Sequence, residues 1–190
     1  EVPFIRDSID IFHEKAKKNK CRIIHSCGFD SIPSDIGVLF LQKNSIKKYD
    51  KICGTVNLYV EGIKGGVSGG TIASMVKIFN YIRLYPDKTD MLKSALSLNP
   101  VWKTNNYVAQ PKFKSIRWDG RIKKWTCPFL MSGINTRIVR RTNAISDFSY
   151  GVDFKYNEVS SYNQGLSGFL KALMMLITLG ALQLIIKSKL

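Results

Sequence analysis

Residues that build metal centres and disulfide frameworks are scarce in this sequence. Its 190 residues include four cysteines and two histidines. The cysteines are widely and unevenly spaced: Cys21, Cys27, Cys53 and Cys127. Structural zinc sites and small disulfide-bonded domains use closely spaced cysteines, or cysteine and histidine pairs. We therefore predict no metal site, no disulfide scaffold, and a reducing, cytoplasmic compartment.

Two phosphate-binding patterns are also missing. The chain has no G-x-G-x-x-G turn after a strand and no G-x-x-x-x-G-K-[ST] loop, the turns that hold dinucleotides and nucleoside triphosphates. The richest glycine stretch, residues 62–70, matches neither pattern and is weak support for a phosphate loop. The first residue is Glu1 and no secretory leader follows it. We therefore expect this chain to be part of a longer protein.

Acidic residues are few. The chain has 14 Asp and Glu against 29 Lys and Arg, a formal net charge of +15, which suggests an anionic partner. The lysines cluster at the ends of apolar segments, for example at residues 15–20 and 43–51, as is typical of a solvated surface. No zinc-finger, helix-turn-helix or RNA-binding spacing accompanies them, so we predict no nucleic-acid partner.

Apolar residues make up 45% of the chain, which is enough for a packed core. The helices and strands that they predict alternate along the chain, as is typical of an α/β protein. The pattern predicts a helix over residues 8–20, a strand over residues 21–27 that ends at Gly28, and a helix capped by Ser34. Ligands in α/β units bind beyond the carboxyl end of a strand, beside the next helix. Residues 25–35 are therefore the first candidate site, although a strand–turn–helix unit without a ligand is common.

The rest of the chain ends in its most apolar segment. Apolar periodicity first predicts a strand over residues 52–63 and helices over residues 69–84, 89–98 and 129–142. Residues 169–186 then form a long apolar run that, as a helix at about 1.5 Å per residue, reaches the borderline of a bilayer core. Lys171, Gly180 and Gln183 interrupt the run. They favour a buried or interfacial helix, with peripheral membrane association left open, over a spanning one.

Four blocks of sequence carry a resemblance to one family. The first block, His25-Ser-Cys-Gly-Phe-Asp-Ser-Ile-Pro-Ser-Asp-Ile-Gly, resembles the saccharopine dehydrogenase-like oxidoreductases and, within them, the trans-acting enoyl reductase branch. The second to fourth blocks resemble that branch in the same order: Ser68-Gly-Gly-Thr-Ile-Ala-Ser, Pro128-Phe through Val139-Arg-Arg-Thr-Asn-Ala, and Tyr150-Gly-Val-Asp-Phe-Lys-Tyr-Asn-Glu-Val. Together the blocks span most of the chain.

The resemblance implies an α/β chain with the end of a Rossmann-type domain and an α+β second domain. Residues 1–36 would be the tail of the dinucleotide-binding domain. Residues 37–190 would be a mixed-sheet domain for substrate binding or dimerisation, incomplete at its C-terminus. The implied cofactor is NADP or NAD, held by a motif outside this chain, and Ser26, Cys27 and Gly28 would border it.

The resemblance does not single out a catalytic residue. Polar side chains of the matched blocks supply five candidates: Asp30, Ser31, Thr71, Arg140 and Arg141. The implied reaction is reduction of an enoyl group in an acyl or polyketide-type lipid substrate, and this chain alone is expected to be inactive. The alternative is a catalytically silent protein of the same fold that associates with lipid. An anionic membrane surface and a homodimer both stay open as partners.

Overall fold

The computed structural model describes residues 1–28, 31–62, 69–86, 90–100, 108–111 and 113–188. In chain order its elements are α1 (Val2–Lys18), α2 (Ile32–Tyr49), β1 (Thr55–Val60), α3 (Gly69–Leu84), α4 (Asp90–Lys93), β2 (Arg117–Asp119), β3 (Lys124–Pro128), α5 (Ser132–Ile145), β4 (Lys155–Tyr162) and α6 (Leu166–Ser188). Helices and strands are mixed along the chain, which confirms the predicted α/β class.

The strands of the described residues form a sheet in the order β1-β4-β3-β2. β3 pairs antiparallel with β2 and β4, so that Trp125 lies between Trp118 and Tyr162. β1 and β4 begin at the same end of the sheet, because the Lys155 amide donates to the Gly54 carbonyl at 2.9 Å. The sheet is therefore mixed, as predicted.

The chain divides into two compact units. The first contains Glu1–Val56, Tyr85–Gln110 and Gly133–Tyr156, and the second contains Asn57–Leu84, Pro111–Ser132 and Asn157–Leu190. The boundary falls within β1 and β4. The domain division expected between residues 36 and 37 stays a prediction, and α2 runs continuously across that position.

The first unit has a core built by α1, α2, α4, α5, the start of β4 and the segments that follow α4 and α5. Its buried apolar side chains include Val2, Ile5, Val38, Met91, Leu98, Val139, Tyr150, Phe154 and Tyr156. On α1 the buried residues are confined to its first turns, where Val2 and Ile5 recur at helical spacing. Its later residues Ile11 and Phe12 stay exposed.

The second unit packs α6 against β3 and α3. The ring of Phe169 on α6 meets Trp125 edge-on, with 5.1 Å between centroids, and Trp125 meets Trp118 at 5.3 Å. The structure confirms the helix predicted over residues 169–186. In the described part of the chain no helix combines the length and apolarity needed to cross a membrane.

Two predictions for the first candidate site are wrong. Residues 21–27 form no strand and pair with none of β1–β4; Ile24 is 73% exposed. β-branched residues make a strand only where a neighbouring strand supplies hydrogen bonds and packing. The second correction concerns the start of α2, which has Ser31 rather than Ser34 at its N-cap. Pro33 suits the first turn, where a missing N–H costs nothing.

Candidate functional site

The first block runs as an extended segment into the start of α2. The residue in the left-handed region is Ser26, with φ 56°, and not Gly28. A Cβ built at Gly28 would meet nothing within 4 Å, so this glycine is not required by backbone conformation or by close packing. Its carbonyl accepts from the amides of Ser31 and Ile32 at 3.2 and 3.1 Å. Gly28 therefore closes the turn that starts α2.

Two side chains of this turn are held by α5. The Ser31 hydroxyl donates to Asn135 Oδ1 at 2.8 Å, and the Thr142 hydroxyl donates to Asp35 Oδ2 at 2.9 Å. Asn135 and Thr142 are two helical turns apart and so share a face of α5. The first turn of α2 is thus docked on α5 at two points, which joins the first block to the third.

The fourth block joins the same cluster through Tyr150. Asn143 on α5 accepts from the Tyr150 amide at 2.8 Å and donates to the Gly151 carbonyl at 2.9 Å. Among the described residues, neither the buried Tyr150 hydroxyl nor Asp35 Oδ1 has a hydrogen-bond partner. The first, third and fourth blocks therefore converge in the first unit, around α5.

Burial changes the acidity of both groups. Burial raises the pKa of Asp35, and the hydrogen bond from Thr142 opposes this rise. Burial, followed by the nearby Asp35 charge, raises the pKa of the Tyr150 phenol. Both effects favour the neutral form. The cluster can therefore present a protonated phenol beside a carboxyl group that gives up its proton less readily than an exposed aspartate.

The arginines of α5 bind backbone carbonyls of α4 and of the segment that follows it. Arg137 donates to Leu92 and Ser94, at 2.7 and 3.1 Å, and Arg141 donates to Leu98 at 2.5 Å. This explains why the helix predicted over residues 89–98 ends at Lys93: its later carbonyls are satisfied by guanidinium groups rather than by helical amides.

Arg140 is the most enclosed of these arginines. It is 6% exposed and donates to Gln110 Oε1, the Ala95 carbonyl and the Tyr156 carbonyl at 3.0, 3.3 and 2.7 Å. Its guanidinium is thus oriented by internal acceptors. These contacts support a structural role for this catalytic candidate.

A pocket of about 390 Å³ lies in the first unit, between α1, the segment that follows it and Arg141 of α5. Its wall consists of Ser8, Ile9, His13, Ala16 and Lys17 of α1, residues Cys21, Arg22, Ile23, Ile24 and His25 of the following segment, and Arg141 of α5. The volume lies within the range of small-molecule sites. The catalytic candidate Arg141 therefore lies in the wall of this pocket.

Cationic groups dominate the polar part of this pocket. Lys17, Arg22 and Arg141 line it together with His13 and His25, and no aspartate or glutamate is among the lining residues. Burial, and then the charge of Arg141, lower the pKa of His25. Its ring stacks on Phe4 with 6.0 Å between centroids. The Nε2 atom of His25 is buried without a hydrogen-bond partner in the described structure.

The remaining sequence candidates are placed as follows. Ser31 is 4% exposed and bonded to Asn135, and Thr71 lies in α3 of the second unit. Asp30 lies outside the described residues. Of the expected cofactor residues, Ser26 is half-buried, whereas Cys27 and Gly28 are exposed. None of these three lines the pocket.

Sequence reasoning missed the pocket and Tyr150 as a site residue. Lys17 belongs to a lysine cluster that is typical of a solvated surface, Arg22 belongs to the predicted strand over residues 21–27, and no motif marks either residue. Tyr150 did have a signal, since it opens the fourth block. Within the described residues no group of His, Cys, Asp and Glu side chains is arranged to hold a metal ion.

Comparison with known proteins finds bacterial relatives with a shared activity in their names. The chain is 33% identical over 175 residues to proteins of Mycobacterium tuberculosis and Mycobacterium bovis named trans-acting enoyl reductase, covering 88% of this chain and 41% of each relative. A further Mycobacterium tuberculosis protein, named provisionally as such an enzyme, is 38% identical over 166 residues, covering 85% of this chain and 40% of its own length.

The names of these relatives support the resemblance to trans-acting enoyl reductases. The chain spans about two fifths of the length of the curated relatives it matches. No protein-family model and no solved structure matches it.

Proposed function

We propose that the full-length protein is an oxidoreductase that reduces the enoyl group of an unsaturated acyl or polyketide-type chain, with NADPH or NADH as the reductant. The similarity to trans-acting enoyl reductases over 85–88% of this chain carries the proposal. The convergence of three blocks around α5 supports it, because three of the four segments that carry the resemblance form one local structure.

The described residues do not form a cradle for a dinucleotide. Cys27 and Gly28 are exposed and Ser26 is half-buried, and a Cβ at Gly28 would meet nothing within 4 Å. They are not a glycine turn that opens onto phosphates. The proposal therefore assigns the main cofactor contacts to other parts of the full-length protein. We assign no step of the hydride transfer to residues of this chain.

For this chain we propose binding and positioning roles. Ser31 and Asp35 fix the start of α2 through Asn135 and Thr142. Arg141, already held by the Leu98 carbonyl, is the candidate that faces a pocket and can contact a ligand.

The experiment is a cofactor-oxidation assay on the full-length protein. Absorbance of NADPH and of NADH is followed with a trans-2-enoyl thioester, and with the saturated thioester of equal length as control. We expect oxidation only with the enoyl thioester, and none with the isolated 190-residue chain. Absence of oxidation with either cofactor, in a folded full-length protein, would contradict the proposal.

A second candidate function, peripheral association with an anionic lipid surface, is favoured by α6. Several of its large apolar side chains are strongly exposed: Leu166, Leu170, Met174, Ile177 and Leu184. Lys171, on the same helix, is also exposed. An apolar stripe with nearby cationic groups suits the interface of an anionic bilayer.

Flotation with anionic vesicles tests this second function. Binding that persists at high salt and is lost in Met174→Glu would support insertion of the apolar stripe, with Asn44→Glu at an exposed position of α2 as the control for the added negative charge. Binding that high salt abolishes would indicate attraction by lysines alone. Size-exclusion chromatography of the same variants tests whether α6 instead mediates a homodimer.

A further inference from the structure

The pocket beside α1 combines two kinds of wall. One part is cationic, from Lys17, Arg22 and Arg141, and the other is apolar, from Ile9, Ala16, Ile23 and Ile24. Ile23 and Ile24 are 55% and 73% exposed. Exposed isoleucines forgo the free energy of burial, and a ligand with an apolar part would cover them while an anionic part meets the cations.

Arg141 is oriented before any ligand binds. Its Nη1 donates to the Leu98 carbonyl at 2.5 Å, and the structure gives this guanidinium no other hydrogen bond among the described residues. A guanidinium held at one end loses little rotamer freedom when its other N–H groups bind an anion. Arg141 can therefore act as a fixed anchor for an oxyanion.

His25 adds a second fixed polar group to the same wall. Its ring is stacked on Phe4, and its buried Nε2 atom has no partner in the described structure. A buried nitrogen without a partner carries a desolvation cost that a ligand oxygen can remove. On the rim, Glu14 is an acidic neighbour, with its carboxylate 3.9 Å from His13 Nε2. Glu14 itself is exposed and does not line the pocket.

We propose that this pocket binds an amphipathic organic phosphate, with its phosphate on Arg141, Lys17 and Arg22 and its alkyl part against Ile9, Ile23 and Ile24. Arginine and lysine are the usual phosphate-binding side chains, and arginine supplies paired N–H donors to one anion. The proposal does not depend on the reductase activity. It assigns a binding site on a face formed by α1 and the segment that follows it.

Calorimetric titration of the full-length protein with hexyl, octyl and decyl phosphate below their micelle concentrations tests the proposal. We expect affinity to rise with chain length, by about two- to fourfold for each methylene that becomes buried. Octanol and inorganic phosphate should both bind far more weakly than octyl phosphate. Octanol has the alkyl chain without the phosphate, and inorganic phosphate lacks the alkyl chain. Added salt should weaken the binding of the alkyl phosphates.

Charge variants locate the site. Lys17 and Arg22 are exposed, so the double variant Lys17→Gln, Arg22→Gln should fold normally, which its thermal unfolding will show. We expect it to bind octyl phosphate about fivefold more weakly, at roughly 0.5 kcal/mol for each exposed charge pair. Lys47→Gln together with Lys48→Gln on α2 is the matched control, since both lysines are exposed and lie outside the pocket.

A variant of the apolar wall completes the test. Ile24→Ser should flatten the dependence of affinity on chain length without changing the affinity for inorganic phosphate. Binding of octyl phosphate that is equal in the double variant and the lysine control would overturn the proposed site. Binding of adenosine 2′,5′-bisphosphate without binding of the alkyl phosphates would overturn the alkyl specificity, and would identify a nucleotide phosphate as the source of the anion.

Discussion

In the first block, the backbone conformations of Ser26 and Gly28 are not the ones that their residue types suggest. Glycine is the usual occupant of left-handed backbone positions, because it lacks a Cβ. Here Ser26 has the positive φ of 56°, whereas Gly28 lies outside that region and faces open space. The accessible surface at Gly28 is compatible with the approach of another part of the protein or of a ligand.

The first prediction is that Gly28→Ala changes the free energy of unfolding by less than about 0.5 kcal/mol. Gly151→Ala is the contrasting variant, because Gly151 has φ +93° and a Cβ there would lie 3.2 Å from Ile52 Cδ1. Gly151→Ala should lower the free energy of unfolding by about 1–2 kcal/mol. Urea unfolding of both variants checks this. Equal losses would show that Gly28 has a conformational role after all.

The second prediction concerns the ionisation of Asp35. Because burial raises its pKa in the folded state above 3.8, folding is favoured while the carboxyl is neutral, and this contribution is lost as the pH rises through the folded pKa. Asp35→Asn removes the titrating group but keeps an acceptor for Thr142. Its stability relative to the wild type should therefore increase as the pH rises above 3.8. NMR titration of the carboxyl group measures the pKa directly.

Asp119 in the second unit provides a control, because its pKa is shifted in the opposite direction from that of Asp35. Hydrogen bonds from Arg121 hold its pKa well below the ordinary value, and Tyr59 also donates to this carboxylate. Its contribution to stability is present above the pKa of an unfolded aspartate and is lost as the pH falls through the folded pKa. Asp119→Asn should therefore be most harmful near neutral pH. The same pH trend in both variants would contradict the assigned environments.

At the scale of elements, α5 organises the first unit. Its side chains hold the start of α2, the turn at Tyr150, α4 and the segment that follows α4. Arginine suits the last task because its fork of donors can satisfy several carbonyls at once. The third block, which covers most of α5, therefore contains side chains whose roles are in large part structural.

The third prediction is that Arg140→Lys destabilises the protein by about 2 kcal/mol, since lysine cannot reproduce three oriented bonds, one of which is to the carbonyl of the buried Tyr156. Arg22→Lys, at an exposed position, is the control and should have little effect. Thermal unfolding measures both. An Arg140→Lys protein with wild-type stability and no reductase activity would instead support a catalytic Arg140.

The fourth prediction compares two glycines of α6. A Cβ at Gly168 would lie 1.6 Å from the Asn163 carbonyl oxygen, whereas one at Gly180 meets nothing within 4 Å. Gly168→Ala should displace the start of α6 and destabilise the protein by more than about 2 kcal/mol. Gly180→Ala should be neutral or stabilise by up to about 1 kcal/mol through helix propensity. Similar unfolding free energies for both would contradict the packing at Asn163.

Elements with their own periodic pattern were predictable from the sequence, whereas those that depend on distant partners were not. β1, α3 and α6 have the type that local apolar recurrence indicates. Residues 21–27 have strand-forming residues but no strand neighbour, and the helix after Asp90 is cut short by arginines distant in the chain. The pocket was missed for the same reason: Arg141 joins Lys17 and Arg22 only after folding.

At the scale of the whole molecule, the relatives extend well beyond this chain. The described residues supply a docked α2–α5 pair, a cationic pocket and a mixed sheet, but no dinucleotide cradle. A net charge of +15 is consistent with anionic ligands in general and does not choose among them. The proposed reduction is therefore a property of the full-length protein, and its test must use that protein.

The most direct test follows the transferred hydrogen. The full-length protein is incubated with a trans-2-enoyl thioester and with NADPH or NADH deuterated at both C4 positions, and the product is analysed by mass spectrometry and NMR. We predict a saturated thioester with one deuterium at the β-carbon and a solvent-derived hydrogen at the α-carbon. Recovery of the unchanged enoyl thioester with both cofactors, from protein shown to be folded, would contradict the account.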